Sequence, residues 1–350
     1  MSRTRTFGHS LGYCAVSLFL LLSTGPSVRA QLDATQTEVP IQIVLKPDKN
    51  TIMLGEPLYV SFEVTNISGE KLCLGVGGDY HNKFGRPDSF NVSVRTVDGA
   101  EIPKIEVVTL GGFIGCDRIE PGRTYTVRLF LPHWATIEGT GSYRVNVKRT
   151  MGFSSDEPSR SRQPKYSMLA DVDAEFTVVP WDENKMGGII AALGSVMLDI
   201  SDPRATESSV ALASIQDKRV ISYFVEALRK FADFENPSYR EHNISSNAIA
   251  ALATYDDDRA IEALQRAINN PTEATRLNVA TAFRDSRHKS ATKLLLEMQD
   301  DPYWFVRLRV AQGLKTVKTK ESLDTLQKLL KDKNKDVREA AAIALDVLAK

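Results

Sequence analysis

The chain has 350 residues, of which 25% are charged, and its 44 basic and 44 acidic side chains leave no net charge. This length predicts two domains. The charge balance argues against a dedicated nucleic-acid surface, so we expect no nucleic acid among the partners, and the interleaved lysines and acids between Lys315 and Arg338 are interpreted as a solvated helical face.

The first 30 residues have the pattern of a secretory signal peptide. Two early arginines precede a short apolar run at 15–22, and Val28-Arg29-Ala30 has the small-x-small shape of a cleavage site. No stretch is long and apolar enough to be identified as a membrane span. We therefore expect an exported protein, periplasmic or extracellular, that is cleaved near Ala30 and has a flexible stretch at 31–39.

Residues 40–180 alternate between apolar and polar side chains, which is the period of a β-strand. Turn signals separate the runs, and many short strands at this spacing predict an antiparallel β-sandwich. The predicted strands lie at 41–45, 58–64, 91–94, 125–131, 143–147 and 172–178.

One stretch of this region, GTGSYRVNV (139–147), resembles the G-x-Y-x-V strand of immunoglobulin-like and fibronectin-like domains. In those domains the tyrosine hydroxyl ties the strand to a neighbouring corner. The resemblance covers residues 40–180 at the level of the fold. It implies an adhesive module, a spacer or a proteinase inhibitor, and the fold alone does not choose among them.

Cys73 and Cys116 are the two cysteines that remain after removal of the predicted signal peptide. In an oxidising compartment they predict one disulfide, and two separate buried thiols are the alternative. The closed loop would stabilise the fold by roughly 3–4 kcal/mol. A metal pair is disfavoured, because neither cysteine has a Cys or His neighbour at ligand spacing.

A short linker at 181–188 leads to a region, 189–350, in which apolar residues recur at helical spacing. The pattern repeats every 31 residues, and each unit has a second apolar helix. Such a period predicts an α-solenoid, because one helix pair can bury its apolar face only against the next. One recurring position is occupied by Ala248, Val279, Val310 and Ala341.

The first helix of the last unit, within DKNKDVREAAAIAL (332–345), resembles that of HEAT repeats. The unit length is similar to the short, bilin-lyase-like HEAT subclass. The resemblance covers about residues 186–350 and implies an α-solenoid that holds other proteins; some members of the subclass attach bilins to proteins. The matching residues are Asp332, Val337, Arg338, Ala341, Ala342 and Leu345.

Two features of the repeats are candidate partner contacts. The stretch 234–243 interrupts the period as an insertion of about nine residues. Tyr303-Trp304-Phe305 lies at a turn between helices, where the rings would either cover the preceding helix or anchor a partner. The candidate residues of the insertion are Tyr239, Arg240 and His242.

The last helix is a candidate for self-association. Its apolar face would be partly exposed at the end of the stack, so it would pack on a partner, on a second copy, or serve as the cap. This predicted face consists of Ala341, Ala344, Leu345 and Leu348.

Catalytic motifs of the H-E-x-x-H, G-x-S-x-G and Walker A types do not occur. Asp79, His81 and Asp88 share one loop, for which solvation is a simpler interpretation than metal binding. The acidic run 256–258 is interpreted as a helix cap and not as a calcium site. We therefore predict no catalytic site, no cofactor and no metal.

Together these features predict an exported, non-catalytic scaffold or adaptor that binds a protein through its HEAT-repeat surface. The alternatives are an inhibitor of an extracellular protease that acts through the sandwich loops, and an enzyme related to bilin lyases. Asn66, Asn91 and Asn243 begin N-x-Ser sequons, which matter only in a host that glycosylates.

Overall fold

The computed structural model describes residues 40–77, 85–108, 114–154, 164, 166–232, 237–284, 286 and 289–350. The predicted signal peptide, the stretch 31–39, Asp79 and His81 lie outside these residues.

Within the described residues, the N-terminal region contains nine strands in two sheets. One sheet is antiparallel with the order β1-β3-β7. The other has the order β2-β9-β8-β4-β6, with β5 also paired to β8, and in it β2 runs parallel to β9. The strands are β1 Ile41–Pro47, β2 Thr51–Met53, β3 Tyr59–Asn66, β4 Leu72–Gly77, β5 Asn91–Thr96, β6 Ile114–Ile119, β7 Thr124–Phe130, β8 Gly141–Ser154 and β9 Tyr166–Val179.

Both sheets contribute side chains to one hydrophobic core. Val60, Phe62 and Val64 of β3 are fully buried, as are Val145 and Val147 of β8, because alternate residues of a strand point to the same face. The strand-rich N-terminal region that the sequence predicts is therefore present.

Three strands, β2, β4 and β6, are absent from the sequence prediction. Leu72, Cys73 and Leu74 of β4 are buried consecutively, so this strand shows no alternation. In β6 the side chains of Asp117 and Arg118 are exposed, and the strand lacks an apolar stripe that would identify it.

The C-terminal region contains ten α-helices within the described residues. The even-numbered helices α2, α4, α6, α8 and α10 contact one another in sequence and form one layer, which we call the first-helix layer. The odd-numbered helices from α3 onward pack against one side of the first-helix layer, and we call the opposite side of this layer its outer side. The helices are α1 Glu183–Leu198, α2 Ala205–Ser214, α3 Val220–Phe231, α4 Tyr239–Leu252, α5 Asp258–Ala267, α6 Glu273–Arg284, α7 Ala291–Glu297, α8 Trp304–Gly313, α9 Lys320–Leu329 and α10 Lys335–Ala349.

The 31-residue period has a direct physical basis in this layer. Ala248, Val279, Val310 and Ala341 occupy the same position in four successive helices, and each is fully buried between neighbours. A helix of one unit therefore buries its apolar stripe against the equivalent stripe of the next. Asp257 caps α5 through the N–H of Arg259, as the acidic run predicts.

Helix α1 begins at Glu183, within the range that the sequence analysis assigns to the linker. The side chain of Asp182 accepts a hydrogen bond from the N–H of Lys185 (3.0 Å) and caps this helix, so the helical region starts earlier than the predicted residue 189.

The two regions contact each other across this short join. The Tyr59 hydroxyl on β3 donates to the carbonyl oxygen of Glu207 on α2 (2.9 Å). Arg128 on β7 donates to the carboxylates of Glu207 (2.8 Å) and Asp48 (2.6 Å), and its guanidinium lies 4.8 Å from the centre of the Tyr59 ring. Met53 of β2 belongs to the helical core. These contacts fix the sheets against the first helices.

Candidate functional site

Repeated arginines set the spacing of the last units. Arg276 on α6 donates through Nη1 to the carbonyl oxygens of Asn270 (2.8 Å) and Pro271 (3.0 Å), in the turn before its own helix. Through Nε and Nη2 it donates to the Asp301 carboxylate, 25 residues later (2.7 and 3.1 Å). One side chain thus ties its own turn to the turn of the next unit.

Arg307 on α8 makes the same set of contacts one unit later. Its Nη1 donates to the carbonyl oxygens of Asp301 (2.6 Å) and Pro302 (3.1 Å), and its Nε and Nη2 donate to the buried Asp332 carboxylate (2.6 and 2.9 Å). The hydrogen bonds from Arg307 hold the pKa of the Asp332 carboxyl below its usual range. This pairing fixes α8 against α10 and thereby shapes the surface between them.

A groove of about 750 Å³ lies between α8 and α10 on the outer side of the first-helix layer. Trp304, Phe305 and Leu308 of α8 form its apolar wall, and the Trp304 and Phe305 rings are 3.9 Å apart between centroids. Ala340 and Ile343 of α10 form the opposite wall. Ile343 is 59% exposed, which is high for a large apolar side chain.

The repeat does not require these apolar residues. Trp304 and Phe305 occupy the helix positions that hold Glu273 and Ala274 in α6, and Lys335 and Asp336 in α10. Glu273, Lys335 and Asp336 are exposed, whereas Trp304 and Phe305 are half-buried and Trp304 also packs on the helical core. An aromatic pair at positions where the neighbouring units carry charged or small residues is typical of a contact surface.

Opposite charges line the two ends of the groove. Asp336 and Glu339 lie at the N-terminal end of α10. Lys315 follows the C-terminal end of α8, and Arg284 ends α6 beside it. Since α8 and α10 are equivalent helices one repeat apart and run in parallel, the charge changes from acidic to basic along the groove. The arrangement can therefore orient an occupant.

Tyr303, Trp304 and Phe305 lie at the start of α8 and not in a free turn. Tyr303 is the N-cap residue, and both Tyr303 and Trp304 pack on the helical core. Trp304 and Phe305 are half-buried and line the groove. The structure therefore brings two of these three predicted contact residues into one surface with the last helix.

The other predicted contact residues do not join this groove. Tyr239, Arg240 and His242 belong to the first turn of α4, because Ser238 and Glu241 form a capping box that starts the helix inside the predicted insertion. Tyr239 is 82% exposed. Arg240 donates to the carbonyl oxygens of Ile200 (3.2 Å) and Asp202 (3.4 Å), so it joins α4 to the α1–α2 turn.

The prediction that the apolar face of the last helix is partly exposed is wrong for most of its residues. Ala341 and Ala344 are buried and Leu348 is nearly so, because α10 packs on α8 and on the short 3-10 turn Leu314–Thr316. The exposed large apolar side chains of α10 are Ile343 and Val347, and Ile343 lines the groove.

Cys73 on β4 and Cys116 on β6 form a disulfide pair in the structure, with Cα atoms 5.6 Å apart. Their strands are neighbours in the larger sheet. The sequon residue Asn66 is fully buried and donates from Nδ2 to the carbonyl oxygens of Glu70 (2.7 Å) and Ile119 (2.8 Å), which leaves no room for a glycan.

A second cavity, of about 320 Å³, lies between the two regions beside the turn at 54–58. Its acidic residue, Glu56, accepts hydrogen bonds from the Lys49 ammonium and from the N–H of Met53 (2.9 Å). Close by, burial raises the pKa of Tyr59 well above its usual value, so the hydroxyl stays protonated and donates to Glu207. The titratable groups here connect the two regions.

Among the described residues, no group of three His, Cys, Asp or Glu side chains is placed to hold a metal ion. Asp88, from the loop considered for metal binding, instead accepts a hydrogen bond from Nε of Arg86 (2.8 Å). In the same part of the chain, no helix is long and apolar enough to cross a membrane.

Comparison with known proteins identifies the repeats. Residues 240–315 and 292–348 match the family model of HEAT repeats, so the C-terminal helical region contains HEAT repeats, as the sequence predicts. No curated protein matches the chain.

Solved structures resemble the chain only distantly. Human deoxyhypusine hydroxylase in complex with glycerol is 19% identical over 46% of this chain and 73% of that chain, with a TM-score of 0.30. An engineered protein is 15% identical over 47% and 81%, with a TM-score of 0.31. A protein that catalyses macrocyclisation in alchivemycin A biosynthesis is 14% identical over 45% and 98%, with a TM-score of 0.22.

These comparisons correct one prediction. The sequence predicts a protein without catalytic activity, but a hydroxylase and a macrocyclisation catalyst are among the structures that the chain resembles. The prediction of a non-catalytic protein is therefore wrong as a conclusion from motifs and fold, because a helical chain without recognisable motifs can be an enzyme.

Proposed function

We propose that the HEAT-repeat region binds polypeptide in the groove between α8 and α10. One observation carries the proposal: Trp304 and Phe305 stand on the outer face at positions where α6 and α10 carry Glu273, Ala274, Lys335 and Asp336. Trp304 packs in part on the helical core, but the charged and small residues at these positions in α6 and α10 show that the repeat forms without large rings there. Half-buried aromatic side chains in a groove with charged edges have the anatomy of an interface anchor.

The rest of the molecule fits a binding protein that works outside the cytoplasm. We propose that the helix pairs form an α-solenoid and that the two sheets form an immunoglobulin-like sandwich that carries it. The Tyr143 hydroxyl donates to the carbonyl oxygen of Gly139, four residues upstream (2.9 Å), which supports the likeness to such domains. Export follows from the predicted signal peptide and would provide the oxidising compartment for the Cys73–Cys116 pair.

The proposal is tested by retention of proteins from the native host on the immobilised full chain. We expect saturable retention of a polypeptide that Ile343→Glu abolishes, because a carboxylate in the apolar wall cannot be desolvated without a partner. Ile67→Glu is the matched control, since Ile67 is the same residue type, is 61% exposed and lies in the sheet region.

Retention that survives both substitutions would place binding elsewhere and overturn the proposal. Retention that Ile67→Glu abolishes while Ile343→Glu does not would move the binding site to the sheets.

A further inference from the structure

We infer that the polypeptide bound in the groove is helix α10 of a second copy of this chain. The inference rests on the proposed function, because it names the partner of the same groove. It follows from the position of the exposed apolar residues of α10, from the charges at the two ends of the groove, and from the sequence of α10 itself.

Helix α10 carries a ridge directly beside the groove. Ile343 is 59% and Val347 37% exposed, and the two side chains lie one helical turn apart on the same side of the helix. Ile343 also lines the groove. Because ridge and groove share one helix, a two-fold axis would insert the ridge of each copy into the groove of the other. Such an isologous contact closes as a dimer.

The charge pattern selects the direction of this pairing. A two-fold axis across the groove makes the two α10 helices antiparallel, so the acidic end of one groove faces the basic end of the other. Asp336 and Glu339 of one copy then lie opposite Lys315 of its partner, and the same pairing occurs twice. A parallel arrangement would place like charges together at both ends, at a cost in affinity.

Helix α10 also has the sequence that the groove requires of an occupant. A helix lying antiparallel to α8 must bring acidic side chains to the basic end of the groove and an apolar ridge to its middle. Read from its start, α10 provides Asp336 and Glu339 and then Ile343 and Val347.

The test is sedimentation equilibrium of the full chain as exported by its host. We expect a monomer–dimer equilibrium, with a dissociation constant raised at least about 100-fold by Ile343→Glu and unchanged by Ile67→Glu. Glu339→Lys and Lys315→Glu should each raise the constant about tenfold, and the double variant should return it to near the wild-type value, because opposite charges again face each other. Recovery in the double variant shows that the single variants are folded.

A chain that stays monomeric at every concentration, or a double variant that is no better than the single ones, would overturn the inference. The proposed function fails separately: a monomeric chain that still retains a different protein, and loses it on Ile343→Glu, leaves the groove as a binding site with another occupant.

Discussion

The two regions of the molecule differ in how completely they hydrogen-bond a buried arginine side chain. In the repeats, Arg276 and Arg307 each reach two carbonyl groups and one carboxylate, so the charge and most donors are satisfied inside the protein. In the sheets, Arg149 is almost completely buried and points into the core from β8. It donates from Nη2 to the carbonyl oxygen of Gly75 (3.3 Å), while its Nε and Nη1 atoms have no hydrogen-bond partner among the residues that the structure describes.

This difference follows from how each region is built. In a repeat, the hydrogen bonds that satisfy a buried polar group recur in the next unit, because the same residues return at the same spacing. A sheet core has no such period, so each buried polar group needs its own partner. Arg149 is held mainly by the Phe90 ring, 4.5 Å from its guanidinium, and this contact does not replace hydrogen bonds. We therefore expect the regions to respond differently to substitution.

The largest effect should come from the covalent link of the sheet region. Cys73→Ser should lower the stability of this region by roughly 3–4 kcal/mol under oxidising conditions, because the unfolded chain regains the freedom of the loop. Hydrogen exchange resolved by peptide should show the loss in the sheets and little change in the repeats. The double variant with Cys116→Ser should cost no more than the single one; additive losses would contradict a disulfide.

Removal of one arginine from the repeats should be nearly as costly. Arg307→Met removes the cation that pairs with the buried Asp332 carboxylate and leaves it only the N–H of Asn334 (2.8 Å), so we expect a loss of about 3 kcal/mol in urea unfolding. Arg338→Met is the matched control, since Arg338 makes the same two carbonyl contacts, to Asp332 and Lys333, but pairs with no carboxylate in the described part of the chain. It should cost about 1 kcal/mol. Equal losses would show that the carboxylate contact contributes nothing.

A fall in pH should destabilise the sheets before it destabilises the repeats. Burial, and then the charge of Arg86, lower the pKa of His133 in the sheet region to about 4. The unfolded chain binds this proton near pH 6.5, so the sheets lose stability as the pH falls from about 6.5 to 4, by up to about 3 kcal/mol. In the repeats, the lowered pKa of Asp332 means that its contribution is lost only below about pH 4.

Hydrogen exchange at pH 6.5 and pH 5, corrected for intrinsic rates, checks this prediction. The sheets should weaken over this interval and the repeats should not, and His133→Gln should remove most of the difference. Equal weakening of both regions would contradict the account.

The smallest effect has the opposite sign. Arg149→Met removes a buried charge and two unmade hydrogen bonds while it keeps an apolar chain beside Phe90. We expect it to stabilise the sheet region by about 1–2 kcal/mol. Arg144→Met, at an exposed site paired with Glu175, should leave stability nearly unchanged. Destabilisation by Arg149→Met would mean that Arg149 has a role that these contacts do not account for.

The repeats are predictable from sequence because their local and long-range patterns agree. The spacing of Val279, Val310 and Ala341 predicts both that each unit forms a helix and that this helix packs on the equivalent helix of the next unit. Six of the nine strands among the described residues are also found in this way, since their alternation reflects one buried face. Strands β4 and β6 are not predicted, because neither shows this alternation. In β4 consecutive side chains are buried, and in β6 the side chains of Asp117 and Arg118 are exposed.

The candidate site required the structure for a different reason. The groove exists only where α8 lies beside α10, and the carboxylate that binds Arg307 is 25 residues away in sequence. A signal was present, however: alignment of the units places Trp304 against Glu273 and Lys335, and an aromatic residue among charged ones marks the outer face. The burial of Ala341 and Ala344 cannot be predicted from the sequence, because alanine occurs equally well in a close helix–helix contact and on an exposed helix face.

The central claim is that polypeptide occupies the groove between α8 and α10, and site-specific photo-crosslinking tests it most directly. A benzoylphenylalanine in place of Ile343 should give a covalent adduct with a polypeptide in the native host, and the same group in place of Ile67 should give none. An adduct with the chain itself would identify the second copy as the occupant. No polypeptide adduct at Ile343, under conditions in which the protein is folded, would contradict the claim.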